Sequence, residues 1–274
     1  MHNFRTVMIV LGIGFAVSMS LPAHGEEAVE SAGPPDVIEI MKKNFMVGKL
    51  TDSESRMTMV LIDSRGIRRE RKAESFSRLL PNGIDQERVA KFLSRPDVRG
   101  TATLTREHSG GDDDIWVYLP ALKKVRRLVA SNKRDSFMGS DFSYGDVITP
   151  RVEDWNHTLV KTEPCGEHNC YVVESTPVSE EVKRNTGYGK KIQWIRTDNY
   201  MTVKGEYADL AGRPLKEFGA SDLFEADPKL GRWMAKSLRM KNLQTGGVTE
   251  ISFDEIKVNV GVPEYTFSER YLKR

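Results

Sequence analysis

The chain lacks the signatures of the common catalytic machineries. It contains no Gly-x-Ser-x-Gly elbow, no His-Glu-x-x-His pair and no complete phosphate loop. It also lacks an excess of one charge: 41 Lys and Arg stand against 39 Asp and Glu, so no global field draws in nucleic acid. Past the N-terminal stretch no apolar run approaches the ~20 residues of a membrane-spanning helix. There is no internal repeat. Histidine is sparse, and His108, His157 and His168 never fall at metal-ligand spacing on one element. Asp112, Asp113 and Asp114 form an acidic run without the spaced oxygen ligands of a calcium loop, which suits a solvated turn better.

What is present begins at the N-terminus. Arg5 precedes an uncharged apolar stretch, Val7 to Met19, and Ala23, His24 and Gly25 form a small-x-small cleavage signal before Glu26. This is the layout of a secretory signal peptide over residues 1–25, with cleavage after Gly25. An uncleaved anchor is the competing reading. No cysteine lies near the cut, so lipid attachment there is excluded. The expectation is a mature periplasmic protein with a short linker over 26–35 and one domain over 36–274, ample for a sizeable core. Neither ATP nor a nicotinamide pool is available in that compartment.

The only cysteines, Cys165 and Cys170, are five apart. In an oxidising compartment a close, even pair reads as a disulfide, with Gly166 and Asn169 supplying the turn. A metal site using Cys165, His168 and Cys170 is the rival and lacks a fourth ligand.

Asp36 can cap a helix starting at Val37, with Val37, Ile40, Met41 and Phe45 at helical spacing and Gly48 as its stop. Thereafter the pattern is strand-like. Met57, Met59 and Leu61 alternate with Thr58, Val60 and Ile62, and further runs follow between Gly and Asp-rich turns as far as Val258. Gly187 to Lys191 reads as a hairpin turn. The spacing predicts a mainly antiparallel sheet of about ten strands with one clear helix. A sheet that large, with so few helices to cover it, closes on itself or leaves an apolar hollow for a ligand, unless its own side chains fill the space.

One segment stands out. Trp116 to Arg127 (WVYLPALKKVRR) reads as strand, tight turn and strand, with aromatic residues followed by cations. Phe137 to Asp146 (FMGSDFSYGD) then places Phe137, Met138 and Phe142 around Gly139. Apolar tips beside Lys123, Lys124, Arg126 and Arg127 suit an amphiphile with an anionic head. An edge hairpin with charges outward and Phe137 in the core fits the same pattern.

These two blocks closely resemble the outer membrane lipoprotein-sorting protein family with a LolA-like fold, in the branch that accompanies exporters of the resistance-nodulation-division and MMPL type. Arg95 to Ala102 (RPDVRGTA), Asn169 to Pro177 (NCYVVESTP) and Glu264 to Leu272 (EYTFSERYL) match as well. The resemblance implies a mainly β fold: a strongly curved sheet forming an incomplete barrel with a helical lid. It implies an apolar cavity that shields a lipid or lipoprotein acyl chain in transit, no cofactor and no catalysis. It makes Trp116, Tyr118, Phe137, Met138 and Phe142 the candidate cavity-mouth residues. Lys123, Lys124, Arg126 and Arg127 become candidates for contact with a head group or an inner-membrane exporter. A non-catalytic sensor or exporter subunit that binds protein and carries no lipid is the alternative.

Overall fold

Asp36 opens the first element of the computed structural model, which describes residues 35–274. The segment read as a signal peptide, the expected cleavage point and nearly all of the expected linker lie outside the described residues. The Asp36 carboxylate accepts the Ile38 N–H at 2.9 Å, meeting one of the orphan donors at a helix start. Helix α1 then runs Val37–Val47 and buries Ile40, Met41 and Val47 on one face, and Gly48 caps its end.

Thirteen strands follow: β1 Asp52–Ile62, β2 Arg68–Leu79, β3 Gln86–Phe92, β4 Ala102–Arg106, β5 Asp114–Leu119, β6 Lys124–Leu128, β7 Trp155–Cys165, β8 His168–Pro177, β9 Lys190–Arg196, β10 Thr202–Ala208, β11 Pro214–Asp227, β12 Arg232–Asn242 and β13 Val248–Val258. They form one antiparallel sheet in the order β6-β5-β4-β3-β2-β1-β13-β12-β11-β10-β9-β8-β7. The sheet curves without closing. Its edges are β6 and β7, consecutive in sequence yet at opposite ends. The connection between them carries 3-10 turns at Ala130–Arg134, Phe137–Gly139 and Val152–Asp154 and the short helix α2, Tyr144–Val147. Helix α3, Glu180–Thr186, packs on the first of those turns, and α4, Glu269–Leu272, lies against β4 and β5.

Two expectations need correction. The strand count exceeds ten partly because β3 shows no alternation: Gln86 and Glu87 are buried beside Val89, Ala90 and Phe92. Gly187 does not begin a hairpin turn. It ends α3 in the left-handed region at φ 79°, where its N–H donates to the Lys183 carbonyl.

The sulfurs of Cys165 and Cys170 are bonded, with Cα atoms 5.8 Å apart across the β7–β8 turn at Gly166. The metal alternative is thereby set aside. So short a loop contributes only about 2 kcal/mol in the chain-entropy picture.

Period-2 alternation sorts the side chains onto two faces. The inner face gathers Met57, Met59 and Leu61 from β1 with Ile115 and Val117 from β5 and Met240 and Ile251 from β12 and β13. On the outer face Val89, Ala102 and Leu104 pack under Phe267 and Leu272 of the C-terminal segment.

Candidate functional site

The inner face is not filled by its own side chains. On the β6 side of the sheet, β1, β2, β3 and β4 present Ser53, Ser55, Ser77, Ala90, Thr103 and Thr105 to the inside, all small. A cavity of about 450 Å³ remains between this wall and a cover made by α1 and the β6–β7 connection. That volume is in the range of small-molecule sites. Its apolar lining includes Met57, Met59, Phe218, Leu238 and Phe253, with Met41 and Phe45 from α1. The small hydroxyls bond locally, as Ser53 does with Ser77 at 2.7 Å, so the wall need not collapse to satisfy them.

The cover is fastened to the sheet. Arg71 of β2 donates to the Met138 carbonyl and, at 2.9 Å, to Asp97. Arg88 of β3 donates to the Val147 carbonyl and, at 2.8 Å, to Gln86. Thr249 of β13 donates to Asp141 at 2.7 Å and accepts its N–H at 2.9 Å. Met138 and Gly139 both take left-handed backbone, φ 52° and 71°, which turns the chain sharply at this point.

The structure separates the residues singled out in the sequence. Phe137 and Phe142 do line the cavity, but as buried wall residues rather than at a mouth: they are 4% and 3% exposed. The Phe137 ring meets Tyr144 edge-on at 5.4 Å and lies 6.1 Å from Phe92. Met138 is partly buried against the same core. Trp116 and Tyr118 do not reach the cavity. They point to the outer face, because their neighbours Ile115 and Val117 take the inner one, and they pack with the C-terminal cluster. Lys124, Arg126 and Arg127 lie exposed on edge strand β6, where cations discourage strand pairing with another chain. Lys123 is outside the strand, in the left-handed turn before it at φ 49°. Arg127 is held by Asp114, its Nε donating at 2.7 Å. The acidic run is paired as well: Asp113 accepts from Lys133 at 2.7 Å, and Asp114 faces His108 at 3.0 Å.

Sequence reasoning missed the polar side of the cavity. His157, Ser175, Lys191 and Tyr207 fall in register across β7, β8, β9 and β10 and all line the hollow. His157 Nε2 faces the Val152 carbonyl at 3.0 Å and must donate there, so Nδ1 accepts the Ser175 hydroxyl at 2.7 Å. Burial pushes the imidazole pKa down and keeps the ring neutral. Asp146 of α2 accepts from Lys216 at 2.9 Å and from Tyr188 and the Ser143 N–H at 2.8 Å. Burial raises the Asp146 pKa, but Lys216 and Lys191 outweigh it and leave the group below the ordinary carboxylate range.

Lys191 is 7% exposed, and burial lowers its pKa to about 8 against the pull of Asp146. Below pH 8 both folded and unfolded chains hold this proton, and the cost of the buried charge is fully present. From pH 8 upward the folded chain releases the proton first, so stability rises with pH until the unfolded lysine titrates. Contact with the rings of Trp155, Tyr188 and Tyr207 offsets part of the cost. Lys191→Met is therefore expected to gain about 2 kcal/mol at pH 7 and to abolish the rise between about pH 8 and 10. Urea titrations at stepped pH check this. A variant less stable than the parent, with the rise intact, would show that the charge costs nothing where it sits.

Comparison with known proteins follows this geometry. A family model described as "Uncharacterized protein" matches residues 85–274. No curated protein matches the chain. Among solved structures, a Vibrio parahaemolyticus domain classed as an outer membrane lipoprotein-sorting protein is 30% identical with a TM-score of 0.78, the match covering 86% of this chain and 98% of that one. A DUF1329 family protein from Desulfovibrio piger is 28% identical with the same TM-score of 0.78, covering 86% of this chain and 97% of its own. A LolA superfamily protein from Nitrosomonas europaea, 20% identical, shares the fold at a TM-score of 0.65 over 87% of this chain and all of its own. The incomplete barrel, its covered hollow and the 30% identity over nearly all of the Vibrio domain together place the chain in the outer membrane lipoprotein-sorting protein family.

Proposed function

We propose that residues 36–274 act as a single periplasmic carrier domain that shields the acyl chain of a lipid or lipoprotein in the cavity. The observation that carries this reading is the inner wall of Ser, Ala and Thr, continuous on β1 with Met57 and Met59 and beside Phe253 of β13. Large side chains there would have closed the core; small ones leave a hollow of about 450 Å³ with an apolar lining. Each buried methylene contributes about 0.8 kcal/mol, so part of one chain suffices for useful affinity. The name of the similar Vibrio domain, in outer membrane lipoprotein sorting, supports the same class of role. The exposed cations of β6 would dock on an acidic surface such as that of an envelope exporter, a contact screened by salt within about 10 Å.

Native mass spectrometry of protein released gently from the periplasm, with displacement of a fluorescent fatty acid, tests the carrier. Bound lipid and a displaceable probe are expected. A clean unliganded mass and no probe binding would leave the protein-binding module as the better reading.

A further inference from the structure

The row His157, Ser175, Lys191 and Tyr207 poses a charge problem that the fold does not resolve. Lys191 sits in an aromatic box, its Nζ 4.4 Å from the centroid of Trp155, 4.7 Å from Tyr188 and 5.4 Å from Tyr207. The rings favour the cation, but they accept no conventional hydrogen bond from it. Among the described residues no carboxylate lies within salt-bridge distance of Nζ and no acceptor takes its protons.

Its neighbours cannot help. Asp146 already receives Lys216, Tyr188 and the Ser143 N–H. One carboxylate beside two lysines leaves a buried excess of one positive charge. Of the other cations lining the cavity, Lys49 pairs with Glu107 and Arg151 with Asp154, while Arg88 has no carboxylate partner but donates to the Val147 carbonyl and to Gln86. The cavity thus has an apolar region and, on its β7–β10 side, an ammonium without an acceptor. A buried charge is retained at such a cost when something pairs with it.

We propose that Lys191 anchors the anionic head group, a carboxylate or phosphate monoester, of an amphiphile whose acyl chain occupies the cavity. This rests on the reading of the cavity as an acyl site and narrows it to anionic cargo. Charge-assisted hydrogen bonds from Nζ to the head-group oxygens supply the missing partner. The ammonium keeps its proton up to about pH 8, so it is charged at neutral pH.

Calorimetric titration of the full-length mature protein at pH 7 with dodecanoate, dodecyl phosphate and methyl dodecanoate tests this. The parent is expected to bind at least one anion about tenfold tighter than the ester, the order expected for a hydrogen bond to a charged group. Which anion shows the preference identifies carboxylate or phosphate as the head. Lys191→Met should bind the anions and the ester alike, losing the preference, and Lys191→Arg should restore much of it. Equal binding of anions and ester by the parent, or a preference that survives in Lys191→Met, overturns the anchor while leaving the acyl site standing. A folded parent that binds none of the three overturns the carrier reading, and the anchor with it.

Discussion

Lys49→Met is expected to cost about 3–5 kcal/mol of stability, because it strands a buried carboxylate. Lys49 follows α1 directly, and its side chain is 2% exposed. Its ammonium meets Glu107 at 2.5 Å and the Ile84 carbonyl at 2.6 Å, and it lies 3.8 Å from the Phe45 ring centroid. Burial lowers its pKa while Glu107 pulls the other way, so the two charges stand or fall together. Without Lys49, Glu107 keeps only weak backbone donors, Gln86 at 3.2 Å and Thr149 at 3.4 Å. Thr149 belongs to the β6–β7 connection, so the pair also ties the cover to the sheet. The double variant Lys49→Met, Glu107→Leu should recover most of the loss, since exchanging a whole buried pair for apolar groups is often neutral. Denaturant unfolding of the three proteins decides it. A single variant within about 0.5 kcal/mol of the parent, as for an ordinary surface change, would mean Glu107 finds water or takes up a proton without strain.

Much of this architecture could be read from the chain, and the failures have identifiable causes. The Asp36 cap, the Gly48 stop and the alternation of Met57, Met59 and Leu61 are local signals, and the structure follows them. Local alternation also groups side chains correctly by face. It cannot say which face is inside. At β5 both faces are covered, one by the inner core and the other by Phe267 and Leu272 from the far end of the chain. Trp116 and Tyr118 therefore look like cavity residues in sequence and belong to the outer cluster in space. Strand β3 is hidden for a related reason: Glu87 is buried because Arg78 and Arg106 from the flanking strands pair with it. The polar row is harder still. His157, Ser175, Lys191 and Tyr207 span 50 positions of sequence, and only the register of four strands brings them together. Cross-strand register is the part of a sheet that a single sequence states least directly.

Phe137→Ala is expected to lower stability by about 3–5 kcal/mol, the cost of emptying a large aromatic site in a packed core. For a domain of this size that is on the order of 10 °C in melting temperature. The ring sits where the β6–β7 connection meets the sheet, against Phe92 of β3 and Tyr144 of α2. The Phe137 N–H bonds to the Phe142 carbonyl at 2.8 Å, so the tight turn through Met138 and Gly139 is closed on itself as well as pinned by Arg71. Removing the ring loosens the cover from one wall of the cavity and adds its volume to the hollow. Probe binding should then change less than stability does, because Met41, Phe45, Met57, Met59 and Phe253 still line the cavity. Met138→Ala is the internal comparison. Its side chain is only partly buried, so its loss should be the smaller of the two. A mobile gate at the cavity mouth would give the opposite pattern, with an unchanged melting curve and strongly weakened binding for Phe137→Ala. Melting curves and fatty-acid titrations on the same preparations of both variants separate a structural wall from a gate.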